Sequence, residues 1–142
     1  WEKIKLRKGK KSVLEGVPKS LPAMVKATRI QEKARGVGFD WDNREQVFEK
    51  VKEEFAELHN EIGAVDNISK IEKEFGDVLF SMINYARFIG VDPEMALEKT
   101  NKKFIGRFSF LEKKVKDKKL DFSKLSLEQM EVIWEESKIY FP

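Results

Sequence analysis

Two pairs of acidic residues at matching spacing are the side chains in this sequence best suited to chemistry. Glu54 and Glu57 stand in Glu53-Glu54-Phe55-Ala56-Glu57, and Glu74 and Asp77 stand in Glu74-Phe75-Gly76-Asp77. Turned at about 100° per residue, Val47, Val51, Phe55, Leu58 and Ile62 form an apolar stripe, with Glu54 about 60° and Glu57 about 120° to one side of Val51. Ile71, Phe75, Val78, Met82 and Ile89 form a second stripe, and Glu74 and Asp77 take the same offsets from Ile71. Glu53 and Lys73 point away from these flanks.

Packing one stripe on the other makes the four carboxylates converge. Left unneutralised they raise one another's pKa or push the helices apart. A hard divalent cation removes that cost. Mg²⁺ or Mn²⁺ prefers carboxylate oxygen, keeps some water and commonly bridges to substrate phosphates, so this set suggests phosphate chemistry more than a structural Zn²⁺ site. A solvated acidic face fits the spacing as well, because charged residues make up 37% of the chain.

Composition narrows the choices. Cysteine is absent and histidine occurs once, which excludes disulfides and thiolate metal sites and argues against a His-rich metal site or a Ser-His-Asp triad. His59 falls across its stripe from the acids and reads as a packing or surface residue. The 28 basic residues are interspersed with 25 acidic ones for a net charge of +3, which argues against a nucleic-acid-binding stripe. No run approaches the roughly 18 apolar residues of a membrane span, and no signal peptide is evident, so no membrane association is expected and the expected address is the cytoplasm. A hydrophobic fraction of 41% in 142 residues, with eleven Phe, predicts one globular domain with its own core.

The elements that must position the acids follow from caps and stops. Residues 1–17, rich in Lys and Gly, read as a linker or flexible segment, and residues 18–142 as an all-α domain. Pro22 starts a first helix over about 22–35 that stops at Gly36. Asp42 or Asn43 caps a second helix over Arg44 to Ile62, stopped by Gly63, and a short loop leads to a third over Ile68 to Ile89, ended by Gly90. Short loops between long helices predict antiparallel neighbours, which brings the acidic pairs face to face. Asp92-Pro93 opens a fourth helix whose stripe is Thr100, Phe104, Phe108, Leu111 and Val115. Lys103 and Arg107 lie about 100° and 60° from Phe104, on the side that the acids occupy in their helices, where a solvated or salt-bridged flank is the other reading. Lys116 to Lys119 reads as a charged hinge. Ser126-Leu127-Glu128-Gln129 is a capping box for a last helix over about Leu127 to Ile139, which carries Trp134 and Lys138. Trp134 on its own fits a core position. No strand alternation or glycine-rich phosphate loop appears.

Together these residues resemble the MazG family of nucleoside triphosphate pyrophosphohydrolases, in particular the C-terminal domain of its two-domain members. The resemblance runs from about Gly16 to Lys138. It rests on Gly16-Val17-Pro18-Lys19-Ser20-Leu21-Pro22, Val37-Gly38-Phe39-Asp40-Trp41, the acids at 53 to 57, Glu74-Phe75-Gly76-Asp77-Val78-Leu79-Phe80, Asn84-Tyr85-Ala86-Arg87, Asn101-Lys102-Lys103-Phe104, Arg107-Phe108 and Trp134. A domain cut from a longer protein is the reading it gives to the start at Trp1. The sequence departs in having Lys73 where some relatives carry an acid.

The resemblance implies a helical bundle completed by a homodimer, with Glu54, Glu57, Glu74 and Asp77 holding Mg²⁺ and with Lys70, Lys103, Arg107, Trp134 and Lys138 contacting phosphates and base. It implies hydrolysis of a nucleoside triphosphate between the α and β phosphates, with one of the site carboxylates or Glu61 accepting the proton of water. Two alternatives stay open: a relative with a narrow substrate such as dUTP or phosphoribosyl-ATP, and a non-catalytic nucleotide-binding helical dimer.

Overall fold

The computed structural model describes residues 12–64 and 67–142, and all of their regular structure is helical. The helices are α1 (Ala23–Gly36), α2 (Arg44–Ala64), α3 (Ile68–Phe88), α4 (Pro93–Asp117) and α5 (Leu127–Tyr140), with a 3₁₀ turn at Phe122–Lys124. The expected linker at 1–17 lies outside the described residues for positions 1–11, and the rest of it is turn. No helix among the described residues is long and apolar enough to cross a membrane.

Several boundaries have visible local causes. Asn43, rather than Asp42, caps α2, its Oδ1 accepting the Gln46 N–H at 3.0 Å. Asn67 caps α3 through the N–H groups of Ser69 and Lys70. Ser126 and Gln129 close the expected capping box on α5. At the end of α3, Gly90 takes φ +75° and lets the Val91 N–H reach back to the Ala86 carbonyl at 2.9 Å. Gly38, at φ +91°, closes α1 in the same way, through the Phe39 N–H and the Ala34 carbonyl. The expected stop at Gly63 is corrected, because α2 runs on to Ala64 and a glycine with no capping geometry costs a helix without ending it. The expected hinge at Lys116 to Lys119 contains the end of α4, where Lys119 itself adopts the left-handed conformation (φ 55°).

The chain forms two compact units divided between Glu94 and Met95. In the first, α2 packs along α3 and α1 against α3. Val47, Val51, Leu58, Val78 and Ile83 are buried there. The rest of each predicted stripe is not covered, with Phe55, Ile62, Phe75 and Met82 between 46% and 59% exposed. In the second unit Leu111, Val115 and Ile133 make the core, flanked by Phe110, Leu125 and Met130.

Gly106, in the interior of α4, lies directly under Phe141. A Cβ built on it falls 2.5 Å from a ring carbon of Phe141, whose carbonyl also accepts a hydrogen bond from Arg107 Nε at 2.8 Å. Gly106→Ala gains about 1 kcal/mol in helix propensity and loses roughly 1–3 kcal/mol in overpacking. We expect net destabilisation of about 1 kcal/mol in urea unfolding, reversed when Phe141→Ala is added.

Candidate metal centre

Three of the four predicted acids meet. An oxygen from each of Glu54, Glu57 and Glu74 lies within 4.8 Å of the others, two from α2 and one from α3. The apolar stripes cause this meeting, since Val51, Leu58 and Val78 are buried between the helices and draw the flanking acids inward. Asp77 sits one turn beyond Glu74, exposed and outside this group of three.

Glu54 is the innermost acid, 7% exposed. Its Oε1 pairs with Lys50 Nζ at 3.0 Å, one turn back on α2, and the same ammonium lies 3.4 Å from Glu53. Its Oε2 has no hydrogen-bond partner among the described residues, and neither has Oε2 of Glu74, although both atoms are buried. Buried carboxylate oxygens without a donor are costly, and an oxygen-preferring cation satisfies them where a further acid cannot. The donor set is all carboxylate, which fits Mg²⁺ or Mn²⁺ rather than a soft metal. The site thus departs from the solvated acidic face that spacing alone allowed, because its central member is buried.

Electrostatics report the same crowding. The Glu54 charge, then desolvation, then the Glu74 charge hold the Glu57 carboxyl above its ordinary range. The folded, metal-free chain therefore binds the Glu57 proton more tightly than the unfolded chain does. Stability in EDTA should fall as pH rises through the ordinary carboxyl range into the raised one, and Glu57→Gln should flatten that part of the profile. Urea unfolding of both proteins from about pH 4 to pH 7 checks this, with an unchanged slope as the contrary result.

The other predicted residues distribute between the units. Lys70, exposed on α3, is one turn before Glu74 and on the same flank. On the second unit, Lys103 is exposed on α4, Arg107 is half-buried with Nε on the Phe141 carbonyl, and Lys138 Nζ lies 2.7 Å from Glu135. Trp134 is not in the Leu111 core. It is half-buried at the end of a row of rings, 5.2 Å from Phe104, which stacks on Phe108 at 6.0 Å and through it on Phe122 at 6.3 Å. His59 is exposed, as its position across the stripe implied.

Two features were not singled out from spacing. Lys50 is one, although its place four residues before Glu54 is the ordinary helical ion-pair interval. The other joins two motifs of the sequence. Arg87 Nη1 and Nη2 donate to Asp40 at 3.1 and 2.8 Å, and Nη2 also donates to Asn84 at 2.6 Å. Arg87 foremost, with the Trp41 N–H, holds the Asp40 carboxyl below its ordinary range. The pair fastens the loop after α1 to the C-terminal half of α3.

Comparison with known proteins finds one matching family and several relatives. The family described as the MazG nucleotide pyrophosphohydrolase domain matches residues 42–109, which hold all four acids, Lys103 and Arg107. The chain is 42% identical over 141 residues to the nucleoside triphosphate pyrophosphohydrolase/pyrophosphatase MazG of Thermotoga maritima, and 41% identical over 143 residues to the nucleoside triphosphate pyrophosphohydrolase of Escherichia coli K12. Each alignment covers 97% of this chain and 54% of the relative. It is also 42% identical over 141 residues to the uncharacterized protein YabN of Bacillus subtilis, covering 29% of that protein. The chain thus spans about half the length of the first two relatives.

Proposed function

Residues 42–109 match the MazG nucleotide pyrophosphohydrolase domain, and from that likeness we propose that the chain hydrolyses nucleoside triphosphates to nucleoside monophosphate and pyrophosphate with Mg²⁺. The observation that carries the reading is the gathered carboxylates, with their two buried oxygens that have no hydrogen-bond partner among the described residues. Glu54, Glu57, Glu74 and Asp77 are the ligands in this reading. Mg²⁺, or Mn²⁺ in its place, supplies neutralisation of phosphate charge and a lowered pKa for water.

The chain's own groups do the rest. Glu54 is held in one orientation by Lys50, so a ligand oxygen is fixed before any cation arrives. Lys70, Lys103, Arg107, Trp134 and Lys138 bind substrate. Arg107 uses Nε on the Phe141 carbonyl, which leaves Nη1 and Nη2 to take two oxygens of one phosphate and to oppose the charge that grows on leaving pyrophosphate. A carboxylate of the site, or Glu61 beyond it, accepts the proton of the attacking water. The uncovered face made by Phe55, Ile62, Phe75 and Met82 supports a homodimer, since a monomer rarely leaves so much apolar surface on one side. The cytoplasm, where triphosphates are found, is the proposed address.

The test is a panel of common ribo- and deoxyribonucleoside triphosphates, with pyrophosphate release followed in each. Turnover spread over several bases supports the reading. Strict preference for dUTP, with the rest untouched, would move the chain to a narrower function.

A further inference from the structure

A glycine inside a helix weakens it, and Gly106 stands inside α4, which runs on past it to Asp117. What the bare α-carbon permits is a seat for Phe141. The three atoms nearest to the point where a side chain at 106 would begin are all ring carbons of Phe141. Phe141 is held at two further points. It is the first residue past α5, where its N–H donates to the carbonyl of the fully buried Ser137 at 2.9 Å. Its own carbonyl lies beyond the helical ladder and accepts from Arg107 Nε at 2.8 Å. One residue is thus tied to the backbone of α4 by its ring, to α5 by its N–H and to Arg107 by its oxygen. These are the two helices that carry Lys103, Arg107, Trp134 and Lys138. A guanidinium is planar, so a bond at Nε fixes the direction in which Nη1 and Nη2 present their donors.

We propose that Phe141 is a positioning residue for the reaction: its ring, seated on Gly106, places the carbonyl that orients Arg107. The glycine is then a requirement of turnover as well as of packing. The assignment rests on reading Arg107 as the group that opposes the charge growing on leaving pyrophosphate. Gly106→Ala overlaps the ring and displaces the carbonyl with it, and Phe141→Ala leaves the carbonyl without its seat. In both, Arg107 keeps its charge and loses its fixed plane. The contact that strengthens as pyrophosphate departs is weakened, while the binding of intact substrate, shared among several side chains, changes little.

The experiment compares Gly106→Ala, Phe141→Ala and the double variant with the unaltered protein. Steady-state pyrophosphate release is one readout, and calorimetric titration of inorganic pyrophosphate with Mg²⁺, which needs no turnover, is the other. The double variant decides, because it regains stability in urea and still lacks the seat. It should retain a loss of about tenfold in kcat, with KM changed by less than about twofold, and should bind pyrophosphate about tenfold more weakly. Phe141→Tyr keeps the ring and should match the unaltered protein. Tyr140→Ala removes a different ring between α4 and α5, stacked on Phe110 at 5.3 Å, and should change neither readout. In an Arg107→Ala background, Phe141→Ala should cost nothing further. Activity that returns with stability in the double variant, an equal loss in Tyr140→Ala, or additive losses from Arg107→Ala and Phe141→Ala would each overturn the proposal. If the variants lose pyrophosphate affinity as expected but the unaltered protein consumes no triphosphate, the positioning role stands and the pyrophosphohydrolase reading falls. Turnover by the unaltered protein, with kinetics and affinity unchanged in the variants, removes only the positioning role. Neither binding nor turnover by the unaltered protein overturns both.

Discussion

Glu54→Gln should lose about 10³-fold in Mg²⁺-dependent pyrophosphate release and, with it, the stabilisation that Mg²⁺ gives the folded protein. The size follows from what the residue does. Glu54 is the buried member of the cluster, and it has one oxygen fixed by Lys50 and one without a partner among the described residues. Loss of one preorganised charge at a reacting centre costs on the order of 10²–10³ in rate. In the proposed function Glu54 helps to hold the metal, which would add RT ln(1 + [Mg²⁺]/Kd) to the unfolding free energy, so saturating Mg²⁺ should raise the melting temperature of the unaltered protein but not of the variant. Glutamine keeps the volume, and Lys50 keeps Glu53 at 3.4 Å, so the fold should survive in EDTA. Glu53→Gln is the control. Its side chain is exposed, it shares Lys50 only at the surface, and it should change stability by less than about 0.5 kcal/mol. Equal losses in the two variants would mean that bulk acidity, and not the inner carboxylate, matters.

Asp40→Ala carries the largest expected effect on stability, about 3 kcal/mol, or roughly 10 °C in melting temperature. Asp40 and Arg87 are 18% and 10% exposed at the side chain and meet through two hydrogen bonds, and alanine leaves the guanidinium charge with Asn84 as its remaining side-chain hydrogen-bond partner. The Asp40 carboxyl titrates below its ordinary range, because the Arg87 hydrogen bonds favour its charged form. Its contribution is therefore complete above the ordinary carboxyl pKa and is lost as pH falls through the lowered one. Unfolding curves of Asp40→Ala and the unaltered protein should run apart at neutral pH and approach each other in strong acid. Melting within about 2 °C of the unaltered protein at pH 7 would show that the loop is held by its aromatic contacts instead.

Much of this fold is legible in the sequence. Period and punctuation placed the five helices of the described residues, because the stripes are regular and the caps at Ser126 and Asp92 are strong local signals. The offset of Glu54, Glu57 and Glu74 from their stripes anticipated their meeting, since helix geometry fixes where a flank points. Other facts depend on tertiary context. Whether Glu54 would be buried or solvated turns on how closely α2 approaches α3, which periodicity does not encode. Asp40 and Arg87 are 47 residues apart, and their pairing follows from the loop returning over α3. The stripes overstated the core of the first unit, because Phe55 and Phe75 lie on them yet are 46% and 53% exposed. Gly63 misled for the opposite reason, as a glycine ends a helix only where the chain takes a capping conformation.

The most direct test of the central claim is the identity of the products. ³¹P spectra of a triphosphate incubated with the purified protein and Mg²⁺ separate monophosphate plus pyrophosphate from diphosphate plus phosphate in a single record. The account predicts the first pair, appearing together and only with a divalent cation, and absent from the Glu54→Gln protein. Diphosphate and free phosphate, or turnover that persists in EDTA, would contradict it.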